Sequence, residues 1–183
     1  METKFRVRSL DAQIPLDEFR NQPRRPIYVV LDNLRSAFNV GGIFRTADCA
    51  GVQKVIPCGI TAHPPHPKLD KTALGTVDYV PWEYCDSALR AVQKLKGEGA
   101  TVMALETTDV SVPYHEVEYP FPVCLVLGNE ALGVSREVLE AADRIVDIPV
   151  MGYKNSLNVA IAFGIVVYEI VRQYESPAAT GRG

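Results

Sequence analysis

The sequence predicts an α/β domain, a mainly parallel sheet flanked by helices. Three observations carry this. Short runs rich in β-branched and aliphatic residues recur at wide intervals, and stretches with helical periodicity separate most of them. The runs themselves are apolar almost throughout instead of alternating, as expected of strands buried on both faces. At 183 residues the chain is long enough to form one such domain and to bury about 70% of its unfolded surface.

Residues 1–26 read as an N-terminal extension that brings Lys4, Arg6, Arg8, Arg24 and Arg25. The first strand covers 27–31 (IYVVL), and a helix follows over about 39–50. That helix carries Gly41 and Gly42 side by side, each costing about 1 kcal/mol relative to alanine. Glycines there point to close approach by a ligand or another backbone. The second strand is 54–57, and beyond it HPPHP at 63–67 raises the question of a metal site. Prolines at three of those five positions forbid a helix that presents both imidazoles on one face, and no third ligand is evident. A stiff surface loop without metal is the expectation.

A helix over 85–98 leads to strands at 101–105 (TVMAL) and 123–127 (VCLVL). A helix over 134–142 and a strand over 144–148 follow. In the last helix, 156–174, Leu157, Ile161, Gly164 and Tyr168 recur at helical spacing, while Val167 and Val171 widen the stripe. Asn155 or Ser156 can cap its N-terminus. Residues 27–174 therefore form the domain, and 175–183 read as a flexible tail.

Composition narrows the functional classes. The chain is 47% hydrophobic and 22% charged, and its longest apolar run falls far short of the ~20 residues that span a bilayer. The start, METKFRVRSL, lacks the apolar core of a signal peptide. Cys49, Cys58, Cys85 and Cys124 are scattered without a C-x-x-C pair, which argues against a zinc site or a disulfide framework. A soluble protein of the reducing cytoplasm is expected. Net charge is −3, but residues 1–45 carry eight Lys/Arg against five Asp/Glu and the remainder eleven against seventeen. A basic face on an acidic protein suits a phosphate-bearing partner.

In an open α/β sheet, ligands sit beyond the carboxyl ends of the strands. Four exits qualify: 32–39, 106–109, GNEALGVS (128–135) and PVMGYKNS (149–156). Gly128 and Gly133 have the spacing of a phosphate loop, but Val134 stands where the lysine must be, which argues against an NTPase or other nucleotide-binding α/β enzyme. The G-x-G-x-x-G dinucleotide fingerprint is absent as well.

Three segments in order, NVGGIFRTADCAG, LVLGNEALGVS and IPVMGYKNSLNVAIAFGIVVYE, resemble the three motifs of the SpoU/TrmH-type SPOUT methyltransferases. The similarity runs from about Ile27 to Glu169, with one small departure at Ala160, where many relatives have serine. The resemblance implies S-adenosylmethionine as cofactor and methylation of a ribose 2′-hydroxyl in tRNA or rRNA. It also implies a C-terminal trefoil knot, a rare exception to unknotted topology, and a homodimer with cofactor pockets against the subunit interface. The alternative is a non-catalytic RNA-binding member of the same fold, which would have no need for the full set of polar residues retained here.

By the same resemblance, Gly128 and Ile148 meet the adenosine, with Leu105 and Thr107 nearby and Leu157 closing the pocket. Ser156 and Asn158 face the reacting centre, so the polar cluster at the mouth of the last helix serves cap, cofactor and ribose together. Arg45 activates the hydroxyl and holds a neighbouring phosphate. A guanidinium keeps its proton far above neutral pH, so stabilisation of the developing alkoxide is the easier role. Asn39 positions the ribose or Arg45, and Glu130 orients the loop. Arg24 and Arg25, in the basic N-terminal arm, are expected to contact RNA.

Overall fold

The computed structural model describes residues 14–176. It opens with a short helix α1 (Leu16–Arg20), followed by strand β1 (Arg25–Asp32), helix α2 (Ala37–Cys49) and strand β2 (Val52–Cys58). Helix α3 (Pro67–Ala73), helix α4 (Ala88–Gly97) and strand β3 (Thr101–Leu105) come next, and then the two-residue strand β4 (Val112–Pro113). Strand β5 (Val123–Leu127), helix α5 (Arg136–Ala141), strand β6 (Arg144–Asp147) and helix α6 (Val159–Tyr174) complete the chain. The strands form one sheet in the order β2-β1-β5-β3-β6-β4, and every pairing is parallel.

The apolar strands divide their side chains between two cores. Ile27, Val29 and Leu31 of β1 and Val123, Leu125 and Leu127 of β5 face Phe44 of α2 and Phe163 and Ile170 of α6. Val30, Cys124 and Val126 face the opposite way, against Val92 and Leu95 of α4 and Val138 of α5. Both faces of the sheet are thus covered, which is why the strands do not alternate in sequence. Burial pushes the Cys124 thiol up to about 12, so it behaves as an inert apolar group.

Gly41 shows why the glycine pair is there. A Cβ at this position would lie 1.9 Å from Thr72 Oγ1 and 2.9 Å from the Ala73 amide nitrogen, so it is α3 that packs onto the helix. The edge of β2 is covered by an extended segment near 81–85. The Val55 amide donates to the Pro81 carbonyl at 3.0 Å, and the Cys85 amide to the Pro57 carbonyl at 3.0 Å.

Arg24 and Arg25 serve the packing of this end of the domain. Arg24 donates to the carbonyls of Val52 and Tyr79 and lies 5.5 Å over the Phe19 ring, and burial lowers its pKa against the opposing pull of Asp48. Arg25 donates to the Ala50 carbonyl at 3.1 Å and pairs with Glu175. Both precede or begin β1, whereas the predicted site lies where β1 ends, about 23 Å away along an eight-residue strand. Part of their donor set is thus used within the protein, while the Nε atoms of both are buried without a partner among the described residues. Lys4, Arg6 and Arg8 lie outside the described residues.

Candidate active site

The carboxyl ends of β1, β5, β3 and β6 meet at a cavity of about 1040 Å³. Leu105, Thr107, Gly128, Ile148, Ser156 and Leu157 all line it, as do Asn39, Glu130 and Asn158. The four strand exits named from sequence therefore converge at one place. The volume suits a nucleoside-sized ligand, since such clefts run from about 300 to 1,000 Å³.

The loop after β5 forms one wall. Its glycine is required by backbone, because a Cβ on Gly128 would sit 2.2 Å from the Val134 nitrogen and 2.3 Å from the Gly133 carbonyl carbon. The loop closes on itself through two backbone bonds between Asn129 and Gly133, at 3.0 and 2.8 Å. Asn129 is buried, donates to the Asn33 carbonyl at 2.7 Å and accepts from the Ala131 and Leu132 amides.

Two carboxylates that the sequence reading passed over hold this loop from behind. Glu106 Oε2 accepts from the Val134 amide at 2.9 Å, and the buried Asp32 accepts from the Ser135 amide at 2.8 Å. The available signal was an acidic residue ending an apolar strand, at Asp32 and again at Glu106.

Glu130 ties the loop to the start of α2. Its carboxylate accepts from the Arg35 amide at 2.8 Å, the Ser36 amide at 3.1 Å and Asn39 Nδ2 at 2.8 Å. Partial burial works against ionisation here, yet the hydrogen bonds from Arg35, Asn39 and Ser36 outweigh it and hold the carboxyl below its usual range. A lowered carboxylate favours the folded state above its unfolded pKa of about 4.3, and that contribution fades as pH falls through the folded value. Glu130→Gln should therefore be less stable than wild type by urea denaturation at pH 7, with the gap closing below pH 4. A gap that persists in acid would mean that ionisation is not what Glu130 contributes.

Asn39 passes the constraint on. Its Oδ1 accepts from Asn158 Nδ2 at 3.0 Å, and Asn158 Oδ1 accepts from the Ala160 and Ile161 amides at 3.0 and 3.4 Å. Asn158 is thus the N-cap of α6, and the helix begins at Val159 instead of 156. The chain from 149 to 158 is exposed loop bordering the cavity, and the helix forms only once the backbone has passed it. Asn158→Ala should lower stability by about 1 kcal/mol through the lost cap, measurable by thermal denaturation. No change would assign the cap to a neighbour.

Arg45 does not join the cluster. It is exposed and is not among the cavity-lining residues. Six residues beyond Asn39 on one helix, it lies about 9 Å further along the axis and about 120° round. Its neighbour Thr46 faces α6, where a Cβ on Gly164 would lie 3.9 Å from Thr46 Cγ2. As for HPPHP, His63 stacks near Trp82 and Tyr84, and among the described residues no group of three His, Cys, Asp or Glu side chains converges as a metal site would require.

The sequence profile of the SpoU rRNA methylase family matches residues 26–168. The chain is 32% identical over 162 residues to the tRNA (guanosine(18)-2′-O)-methyltransferase of Escherichia coli K12, covering 86% of this chain and 67% of that protein. It is 33% identical over 168 residues to the protein of the same name from Aquifex aeolicus, covering 91% of this chain and 79% of that one. Among solved structures, the A. aeolicus TrmH/SpoU tRNA modifying enzyme superposes with a TM-score of 0.77 at 32% identity, covering 91% of this chain and 84% of that chain. An AdoMet-bound rRNA methyltransferase from Sinorhizobium meliloti gives 0.77 at 32% identity, covering 86% of this chain and 61% of that chain. With its parallel sheet, its convergent loops and this match over most of its length, the chain belongs to the SpoU rRNA methylase family.

Proposed function

We propose that this chain is an S-adenosylmethionine-dependent RNA methyltransferase acting on a ribose 2′-hydroxyl. The observation that carries the reading is the hydrogen-bonded chain Glu130–Asn39–Asn158 on the rim of a cavity lined by Leu105, Thr107, Gly128, Ile148, Ser156 and Leu157. The residues fit the cofactor. Apolar side chains offer faces for an adenine ring, and the Gly128 loop forms one wall of the cavity. Asp147 also borders the cavity, with a buried Oδ1 that has no hydrogen-bond partner among the described residues.

The bound cofactor supplies an electrophilic methyl group. Asn39, oriented by Glu130 on one side and Asn158 on the other, is placed to hold a ribose in line, and alignment of this kind lowers the barrier by pre-organisation. Ser156, on the same rim, is a hydroxyl partner for the substrate. Arg45 stabilises the developing alkoxide.

We infer that Arg45 serves the cavity of a second chain. Ile161 and Tyr168, two turns apart on α6, are exposed apolar side chains, as are Leu157, Met151 and Tyr153 in the loop before it. A homodimer through this face, beside Arg45, brings Arg45 of one copy to the cavity of the other. The knotted C-terminal passage goes with the same reading, as does a guanosine-containing tRNA or rRNA target of the kind named for the relatives.

The test is transfer of label from tritiated S-adenosylmethionine to unmodified tRNA and rRNA. Label surviving alkaline hydrolysis as a 2′-O-methyl dinucleotide is the expected result. Absence of both incorporation and cofactor binding by calorimetry would remove the reading.

A further inference from the structure

Resting on the RNA reading above, we propose that a second groove, beside the active site, seats the single-stranded nucleotide that flanks the methylated ribose. The groove encloses about 530 Å³ and shares Arg35 and Ser36 with the larger cavity, so the two adjoin at the start of α2. Chain leaving the active site on that side enters the groove.

Charge and surface both fit such an occupant. Arg35 and Lys68 are the charged side chains lining the groove, with His63 and His66 beside them, and among the described residues no acidic one lines it, on a chain whose net charge is −3. Local positive character on an acidic protein is the footprint of a phosphate backbone. Exposed apolar side chains line the groove as well: Phe38 is 54% exposed and Ile60 is 69% exposed. Phe38 sits at the first turn of α2, one residue before Asn39, so a base stacked on its ring adjoins the proposed ribose site.

The opposite wall is stiff. His63 packs 4.6 Å from the Tyr84 ring, and Tyr84 in turn donates from its hydroxyl to the Gly59 carbonyl at 3.1 Å. The prolines of HPPHP hold this wall in one conformation, so the entropy of ordering it is not charged to binding. An exposed phenyl ring beside two cationic side chains on a stiff wall favours a single strand over a folded protein partner.

Phe38→Ala and Lys68→Glu test the proposal, because neither residue lines the cofactor cavity and both side chains are exposed. Binding of fluorescein-labelled single-stranded oligoribonucleotide and of unfractionated tRNA and rRNA would be followed by anisotropy across a salt series. Phe38→Ala should weaken binding about tenfold with little change in salt slope, as loss of a stacked base would. Lys68→Glu should weaken binding and flatten the slope by about 0.7, one phosphate contact on a single strand. Cofactor affinity should match wild type in both.

Wild-type RNA affinity in both variants would overturn the groove while leaving the methyltransferase reading intact. Weakened binding accompanied by dissociation of Phe38→Ala in sedimentation would reassign the surface to a second copy of the chain, which also overturns it. A wild-type protein that binds neither RNA nor cofactor would remove both readings.

Discussion

Gly128→Ala is expected to weaken S-adenosylmethionine binding by more than about 100-fold and to lower the melting temperature by several degrees. The added Cβ would lie 2.2 Å from the Val134 nitrogen, 2.3 Å from the Gly133 carbonyl carbon and 2.6 Å from its oxygen. All three are backbone atoms, and none is free to move. The Val134 amide is held by Glu106, the Ser135 amide by Asp32, and Gly133 by its two bonds to Asn129. Relief of the clash must break some of these, and overpacking of this kind costs about 1–3 kcal/mol. For a domain of this size each kcal/mol shifts the melting temperature by roughly 2–4 °C. Titration calorimetry and a thermal melt of the one variant check both halves. Binding at the wild-type level would mean that the loop closes differently from the arrangement described.

Arg45→Ala should reduce the turnover of methyl transfer by about 10²–10³-fold, the usual loss when a group aimed at developing negative charge is removed. Cofactor affinity should change little, because the proposed role of Arg45 is toward the substrate oxygen and not toward the cofactor. The dimer arrangement adds a second readout. Chains carrying Arg45→Ala, mixed with chains carrying Glu130→Ala, should recover activity well above either alone, since each mixed dimer holds one site with both residues. Full activity in Arg45→Ala would remove the alkoxide role. Absence of recovery on mixing would place Arg45 with the cavity of its own chain.

The polar set at the active site was legible as residues but not as a mechanism of assembly. Asn39, Glu130 and Asn158 are separated by more than a hundred positions from first to last, yet they form one hydrogen-bonded line. Each sits beside a strand exit or a helix start, and parallel strands bring all such exits to one end of the sheet. The cap of the last helix lies two or three residues beyond Asn155 and Ser156, at Asn158. Local signals cannot distinguish three polar neighbours, whereas the bond from Asn158 to Asn39 selects one of them. Arg24 and Arg25 read as charge alone, and their bonds to the carbonyls of Val52, Tyr79 and Ala50 were not legible because those partners are distant in sequence.

What the sequence determined by itself is the sheet. The strands at 101–105 and 123–127 fall where the apolar runs fall, and the parallel, two-sided architecture follows from runs that never alternate. Burial on both faces leaves a continuous record in the chain, so a window of a few residues suffices to read it. Tertiary structure alone decided the order of the strands, the carboxylates Asp32 and Glu106 behind the glycine loop, and the separation of Arg45 from the cavity of its own chain. It also decided the two-residue strand at 112–113 and the packing of α3 against Gly41. Each of these depends on a partner far along the chain, and the energy of a contact appears only when both sides are present.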